Sequence, residues 1–150
     1  VEIDDAVIDT LARATHENYL ADQGSDGPQW ANLREDLREA NRAQIRAIPE
    51  KLASIWASIE QGTPSEPFAF TPAELERLAK VEHRRWMAQR RRAGWVYAAV
   101  RDDRRKQHPM IVEWERLPEY ERDKDRRVVS RIPDLLARVG MHIVRRPPVE

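Results

Sequence analysis

The sequence contains no cysteine, so neither a disulfide framework nor a thiolate zinc site is open to it. Glycine is scarce, five in 150 residues, and none falls in a phosphate-cradling pattern: there is no Walker loop and no GxGxxG. HExxH and a nucleophile elbow are missing as well, and His83, His108 and His142 lack metal-ligand spacing. No apolar run is long enough to span a bilayer, and no signal-peptide pattern is present. These absences weigh against an enzyme, a resident metal or cofactor and a membrane protein, and leave a cytoplasmic setting as the expectation.

What the chain does have is a helix with chemistry on it. Residues 78–95, LAKVEHRRWMAQRRRAGW, place His83, Trp86 and Arg90 at i, i+3 and i+7, along one side of about two turns. Leu75, Leu78, Ala79 and Met87, with Val81 and Ala88 filling in, supply an apolar side that anchors this helix to a core. Net charge is zero but unevenly spread. Residues 1–70 carry 6 basic and 13 acidic side chains, whereas residues 71–150 carry 20 and 13, so the second half is the candidate anion-binding half.

The chain also repeats itself. LARATHENYLADQ (11–23) matches LAKVEHRRWMAQR (78–90) at an offset of 67, with His16 on His83 and Tyr19 on Trp86. Further on, residues 30–56 align without a gap on residues 114–140 at an offset of 84, with 9 identities in 27 positions. Unrelated sequences of average composition would agree at about two of them. The second copy therefore holds 17 residues that the first lacks, and they fall in the stretch GWVYAAVRDDRRKQHPMIV.

The coarse pattern is helical. A first helix is expected over 4–23, ended by GSDGPQ, and a second from about Arg34 to the break at Pro49, whose counterpart is Pro133. EQGTPSEPFAF (60–70) has the composition of a linker, and TPAE (71–74) is a compact helix start with Thr as N-cap and Glu to close a capping box. The runs flanking RDDRRKQHP predict a small two-stranded ribbon, a short helix follows over 133–139, and MHIV adds a last strand. The terminal RRPPVE reads as a cut linker, which suggests a module taken from a longer protein.

The second half resembles a known family. HRRW followed by GWVY, then RDDRRKQHPMIV, a WERLP step and the IPDLLARVGMHI ending are similar to the ryanodine receptor repeat (RyR) domain, in the form that bacterial cytoplasmic proteins carry beside other modules. Residues 71–146 match nearly throughout, with Ala98 where the family commonly has Gly, and residues 1–59 resemble a degenerate partner repeat without the GW and HP portion. The resemblance implies a mainly α fold of two pseudo-symmetric helical repeats sharing one core, with a small β ribbon in the second, residues 60–70 as linker and 1–146 as one folding unit.

Tandem copies of this repeat are associated with adenine-nucleotide binding between them, and the residues are suited to it. Tyr19 and Trp86 are equivalent aromatics able to stack on a base, Trp95 is a third, and Arg90, Arg42 and Arg126 are candidate phosphate partners. His16 and His83 join the candidate site, or are core histidines with one satisfied nitrogen; each arginine has a salt-bridge alternative, Arg38 with Glu35 and Arg126 with Asp123 among them. The expected function is a ligand-sensing or regulatory module for a nucleotide-type small molecule, acting with an effector domain of a longer protein. Two other readings remain: a nucleic-acid-binding module using the basic second half, and a protein-interaction scaffold.

Overall fold

Helix starts and stops written into the sequence carry the repeated segments. In the computed structural model, which describes residues 1–24 and 26–147, α1 (Asp5–Gln23) begins at Asp4, whose side chain accepts the Val7 N–H at 2.9 Å, and ends on Gly24 in the left-handed region. Ser25 in the GSDGPQ break and residues 148–150 of the segment expected to be a linker lie outside the described residues. The longest helix, α4 (Pro72–Arg92), opens on the expected capping box. The Glu74 N–H donates to Thr71 Oγ1 at 3.1 Å and the Thr71 N–H to Glu74 Oε1 at 2.9 Å, with Pro72 in the first turn.

After each long helix the same series follows. Trp30–Asn32 and Trp114–Arg116 form single 3-10 turns; α2 (Glu35–Arg46) and α3 (Ile48–Ala53) correspond to α5 (Glu119–Ser130) and α6 (Ile132–Ala137); β1 (Ala57–Gln61) corresponds to β4 (Met141–Arg145). Every one of these pairs stands at the 84-residue offset read from the sequence. The prolines 49 and 133 sit in the first turn of α3 and α6, where a missing N–H costs no helical hydrogen bond.

β1 and β4 pair antiparallel with Ile59 opposite Ile143, Ala57 opposite Arg145 and Gln61 opposite Met141. Since Ile59 and Ile143 are equivalent positions, this ladder is symmetric about a local twofold through them, as duplicated strands require when they pair with one another. Ala57, Ile59, Met141 and Ile143 point inward and are buried, alternating with half-exposed neighbours.

Contacts divide the chain into two compact units. The first comprises Val1–Ala69 together with the residues from Ile132 on; the second is Phe70–Arg131. In the first, Ile8, Leu11 and Ala12 of α1 are buried with Ile45, Ile48 and Leu52 and with Leu135 and Leu136 of α6. In the second, Leu78, Ala79 and Met87 of α4 are buried, as are Ile111, Trp114, Leu117 and Val129. Each fully buried Leu or Ile side chain contributes about 1.5–3 kcal/mol relative to exposure.

The ribbon of the second repeat differs in position and sense from the sequence expectation. Val96–Tyr97 (β2) pairs with Gln107–His108 (β3), inside the polar run, and the pairing is parallel. The apolar Met110–Val112 segment is used elsewhere: Ile111 is buried, and Met110 and Val112 pack on Ala79, Trp114 and Leu117. Pro109, which has no N–H for a ladder, separates the two uses. Ala88, expected to fill in the apolar side of α4, is exposed, and His83 takes an inward position instead.

Candidate functional site

α4 delivers His83, Trp86 and Arg90 to the second unit one turn apart. The imidazole of His83 is buried, and its Nε2–H donates to the Val112 carbonyl at 2.7 Å. With that hydrogen bond made, the ring is held stacked on Trp86, centroids 5.8 Å apart and planes 22° from parallel, and tilted against Trp114 at 6.2 Å.

Beyond the helix the chain closes back over it. The Trp95 N–H donates to the Arg90 carbonyl at 2.9 Å, and Lys106 Nζ donates to the Ala93 carbonyl at 2.7 Å, tying the inserted loop to the helix end. His108 then meets Trp86 edge-on at 5.1 Å and Trp95 at 6.2 Å. The guanidinium of Arg90 lies 5.6 Å from the Trp86 ring centre and 5.3 Å from that of Trp95, so one cation is shared by two indoles. His108 accepts the Met110 N–H on Nδ1 at 3.0 Å, which places the proton of its neutral ring on Nε2. Burial, reinforced by the charges of Arg101 and Arg90, pushes the His108 pKa below the ordinary histidine value. The result is a half-buried cage of two indoles, a guanidinium and a neutral imidazole.

The first unit carries the same framework without the cage. The Nε2–H of buried His16 donates to the Pro28 carbonyl at 2.7 Å, and its ring stacks on Tyr19 at 6.4 Å and tilts against Trp30 at 6.3 Å. Pro28 and Val112 stand at the 84-residue offset, as His16 and His83 stand at 67, so one latch is present twice. Tyr19, with no inserted segment over it, is 56% exposed.

Arg42 and Arg126 are equivalent hubs. Arg42 binds Asp9 at 2.6 Å, Glu35 at 2.7 Å and Glu39 at 3.2 Å and lies over Trp30. Arg126 binds Glu76 at 2.8 Å, Glu119 at 2.5 Å and Asp123 at 2.6 Å and lies over Trp114. Arg42 holds the Glu35 carboxyl below its usual range, Arg46 and then Arg42 do so for Glu39, and Arg126 for Glu76; both hub arginines are raised in turn. Arg126 also lines a shallow groove of about 450 Å³ on the second unit with Leu75, Asp123, Arg127 and Ser130. The Arg38–Glu35 pair expected from the sequence is present at 2.9 Å.

Of the eight residues singled out in the sequence, His83, Trp86, Arg90 and Trp95 come together in the second unit. Arg126 lies apart from them as a charge hub, and His16, Tyr19 and Arg42 belong to the first unit. His108 completes the cage and was not among the eight. Its signal was available: it lies in the segment that the first half lacks, and it follows the aromatic pair of Trp95 and Tyr97 in the same insertion.

The model of the RyR domain family matches residues 72–145, from the first turn of α4 to the last residue of β4. This segment is an RyR domain. Both the cage and the second latch lie within the RyR domain, and the match suggests a regulatory or ligand-binding module at most. Among the described residues no helix is long and apolar enough to cross a membrane.

Proposed function

We propose that the protein is a ligand-sensing module that binds a nucleotide or nucleotide-derived small molecule, and that the cage in its RyR domain receives it. The observation that carries this reading is Arg90 held at 5.6 and 5.3 Å from the rings of Trp86 and Trp95. Indoles offer a purine a stacking partner worth about 1–3 kcal/mol per base. A guanidinium stacked through its faces presents its N–H fork in plane, which is the geometry that phosphate oxygens match. His108 adds a neutral Nε2–H donor, so the cage combines apolar faces with donors and suits a flat, anionic molecule. Tyr19 is an additional exposed ring on which a base can stack. The role is binding, not catalysis. We further place the protein in the cytoplasm, its module acting with an effector domain of a longer bacterial chain, as the family resemblance implies.

A thermal-shift screen against mononucleotides, dinucleotides, ADP-ribose and cyclic nucleotides tests the proposal. A true ligand at a hundred times its dissociation constant adds about 2.7 kcal/mol of stability. Calorimetry on well-folded variants then assigns the residues. Trp86→Ala is expected to weaken the hit by about 1–3 kcal/mol, while Arg90→Ala acts mainly on ligands that carry phosphate. No shift with any of these compounds, or normal affinity in both Trp86→Ala and Arg90→Ala, overturns the reading.

A further inference from the structure

The inserted segment carries a second surface that the cage does not use. Val96 and Tyr97 of β2 and the nearby Val100 are 54%, 58% and 76% exposed, three apolar side chains in five residues. Around them, residues 91–106 hold six basic and two acidic side chains. The two acids are occupied within the loop: Asp103 binds Arg101 at 2.7 Å and Asp102 pairs with Arg105 at 3.8 Å. The guanidinium groups of Arg91, Arg92 and Arg104 have no ion-pair or hydrogen-bond partner among the described residues, and all three residues are exposed. Lys106 fastens the loop to the end of α4, so these arginines and the apolar residues are parts of one surface.

The backbone here is also incomplete. Val96 donates to the Lys106 carbonyl at 2.9 Å and Ala98 to the His108 carbonyl at 3.4 Å, both toward β3. Alternate residues of a strand bond to opposite sides, so the N–H and C=O of Tyr97 face the outer edge, where no strand among the described residues adds to the pair. An open edge with apolar side chains and surplus positive charge is a site for strand addition.

We propose that the outer edge of β2 docks an extended, acidic segment of a partner protein, one that carries aliphatic side chains between its carboxylates. Backbone pairing at Tyr97 would align it, Val96 and Val100 would cover its apolar side chains, and Arg91, Arg92 and Arg104 would meet its carboxylates. A single-stranded nucleic acid fits less well, because successive bases need a row of exposed rings and Tyr97 is the one strongly exposed ring on this surface. A lipid headgroup gains nothing from a strand edge.

The test is selection of a random twelve-residue displayed peptide library on the full chain, followed by fluorescence anisotropy with the enriched peptides. Acidic sequences interspersed with Val, Ile or Leu are expected, with affinity that falls as salt rises. The exposed triple variant Arg91→Glu, Arg92→Glu, Arg104→Glu should melt as the parent does and lose at least about tenfold in affinity. Tyr97→Pro, which removes the outward N–H together with the exposed ring, should lose about fivefold, and Tyr97→Ala, which removes the ring alone, should lose less. Enriched peptides without an acidic bias, or peptides that bind the well-folded triple variant unchanged, overturn the proposal. So does tighter binding of the same surface to a twelve-nucleotide oligothymidylate or to phosphatidylserine vesicles.

Discussion

In the first repeat His16 donates to Pro28 and stacks on Tyr19, whose ring stands largely in solvent; in the second His83 donates to Val112 and stacks on Trp86, whose ring also meets His108 and Arg90. The hydrogen bond has the same length in both, the tilted tryptophan behind the histidine is the same, and the arginine over that tryptophan holds three carboxylates in both. The cover differs, and the second copy adds Asp125 at 3.8 Å from His83 Nδ1, where the first has Asn41. The latch and the hub are therefore framework, present wherever the helix series is present. The cage depends on the 17 inserted residues, and a specific binding chemistry is more reasonably sought there than in the features both copies share.

Cutting between the repeats gives the largest effect. β4 is covalently part of the second repeat, yet its ladder partner is β1, and Met141 and Ile143 are buried in that pair. A fragment of residues 71–150 loses the partner strand and exposes these side chains, so it should be poorly folded or self-associate. Equilibrium sedimentation and thermal unfolding check it: a monomeric, cooperative transition with the midpoint of the full chain would show that the strand pair contributes nothing to folding.

Breaking the latch comes next. His83→Ala removes a buried ring packed between Trp86 and Trp114 and leaves the Val112 carbonyl without its donor, for an expected cost of about 3 kcal/mol. His16→Ala should cost less, about 2 kcal/mol, because Tyr19 is largely hydrated already and water can reach the exposed Pro28. Urea unfolding of both variants measures the difference, and equal costs would mean that the insertion adds no packing to the latch.

Acid separates the hubs from the cage. Glu35, Glu39 and Glu76 have folded pKa values below the ordinary 4.5, so the unfolded chain binds more protons; their stabilisation is full above about 4.5 and is lost as pH falls through the folded values. His108 is likewise depressed, from 6.5, and its neutral form is the folded one, so its contribution is full above about 6.5 and is lost as pH falls below it. Arg42→Gln and Arg126→Gln should lower the melting temperature at pH 7, and the gap from the parent should close toward pH 3 in both repeats. His108→Gln should remove the upper limb alone, an effect with no counterpart in the first repeat. Melting temperatures between pH 3 and 8 report both.

Much of this arrangement was legible in the sequence, for physical reasons that differ from element to element. Thr71, Pro72 and Glu74 specify a helix start through local hydrogen bonds, and the observed cap follows them. The duplication survives because equivalent positions do equivalent work: Ile45 and Val129, Leu52 and Leu136 are all buried. β1 was not legible, since ASIEQ has little strand propensity and its burial comes from pairing with β4, 84 residues away. The ribbon was misplaced because MIV in isolation looks like a strand, while in the fold Ile111 goes to the core and Val112 supplies the carbonyl for His83. His108 escaped notice for a related reason. Its place in the inserted segment was a signal, but nothing local to a charged loop shows that the ring will close over Trp86.

The smallest expected effect is the sharpest comparison, because it concerns one backbone position in two sequence contexts. Trp56 and Gly140 are equivalent, each lying just before its strand, and both are left-handed, with φ of 58° and 73°. Glycine occupies this region without penalty; a tryptophan there strains its Cβ against the backbone, at a cost of about 1 kcal/mol. Trp56 is 59% exposed, so its side chain returns little through packing. Trp56→Gly should therefore stabilise the protein by about 0.5–1 kcal/mol, while Gly140→Ala should destabilise it by about 1 kcal/mol. The second variant is a clean measure of backbone strain, since a Cβ at Gly140 meets no atom within 4 Å. Urea unfolding of the two single variants and their combination decides the matter: opposite signs that cancel in the double variant identify the strain as the property of the position. A loss of stability in Trp56→Gly would instead show that this exposed indole is held in place by interactions worth more than the strain it causes.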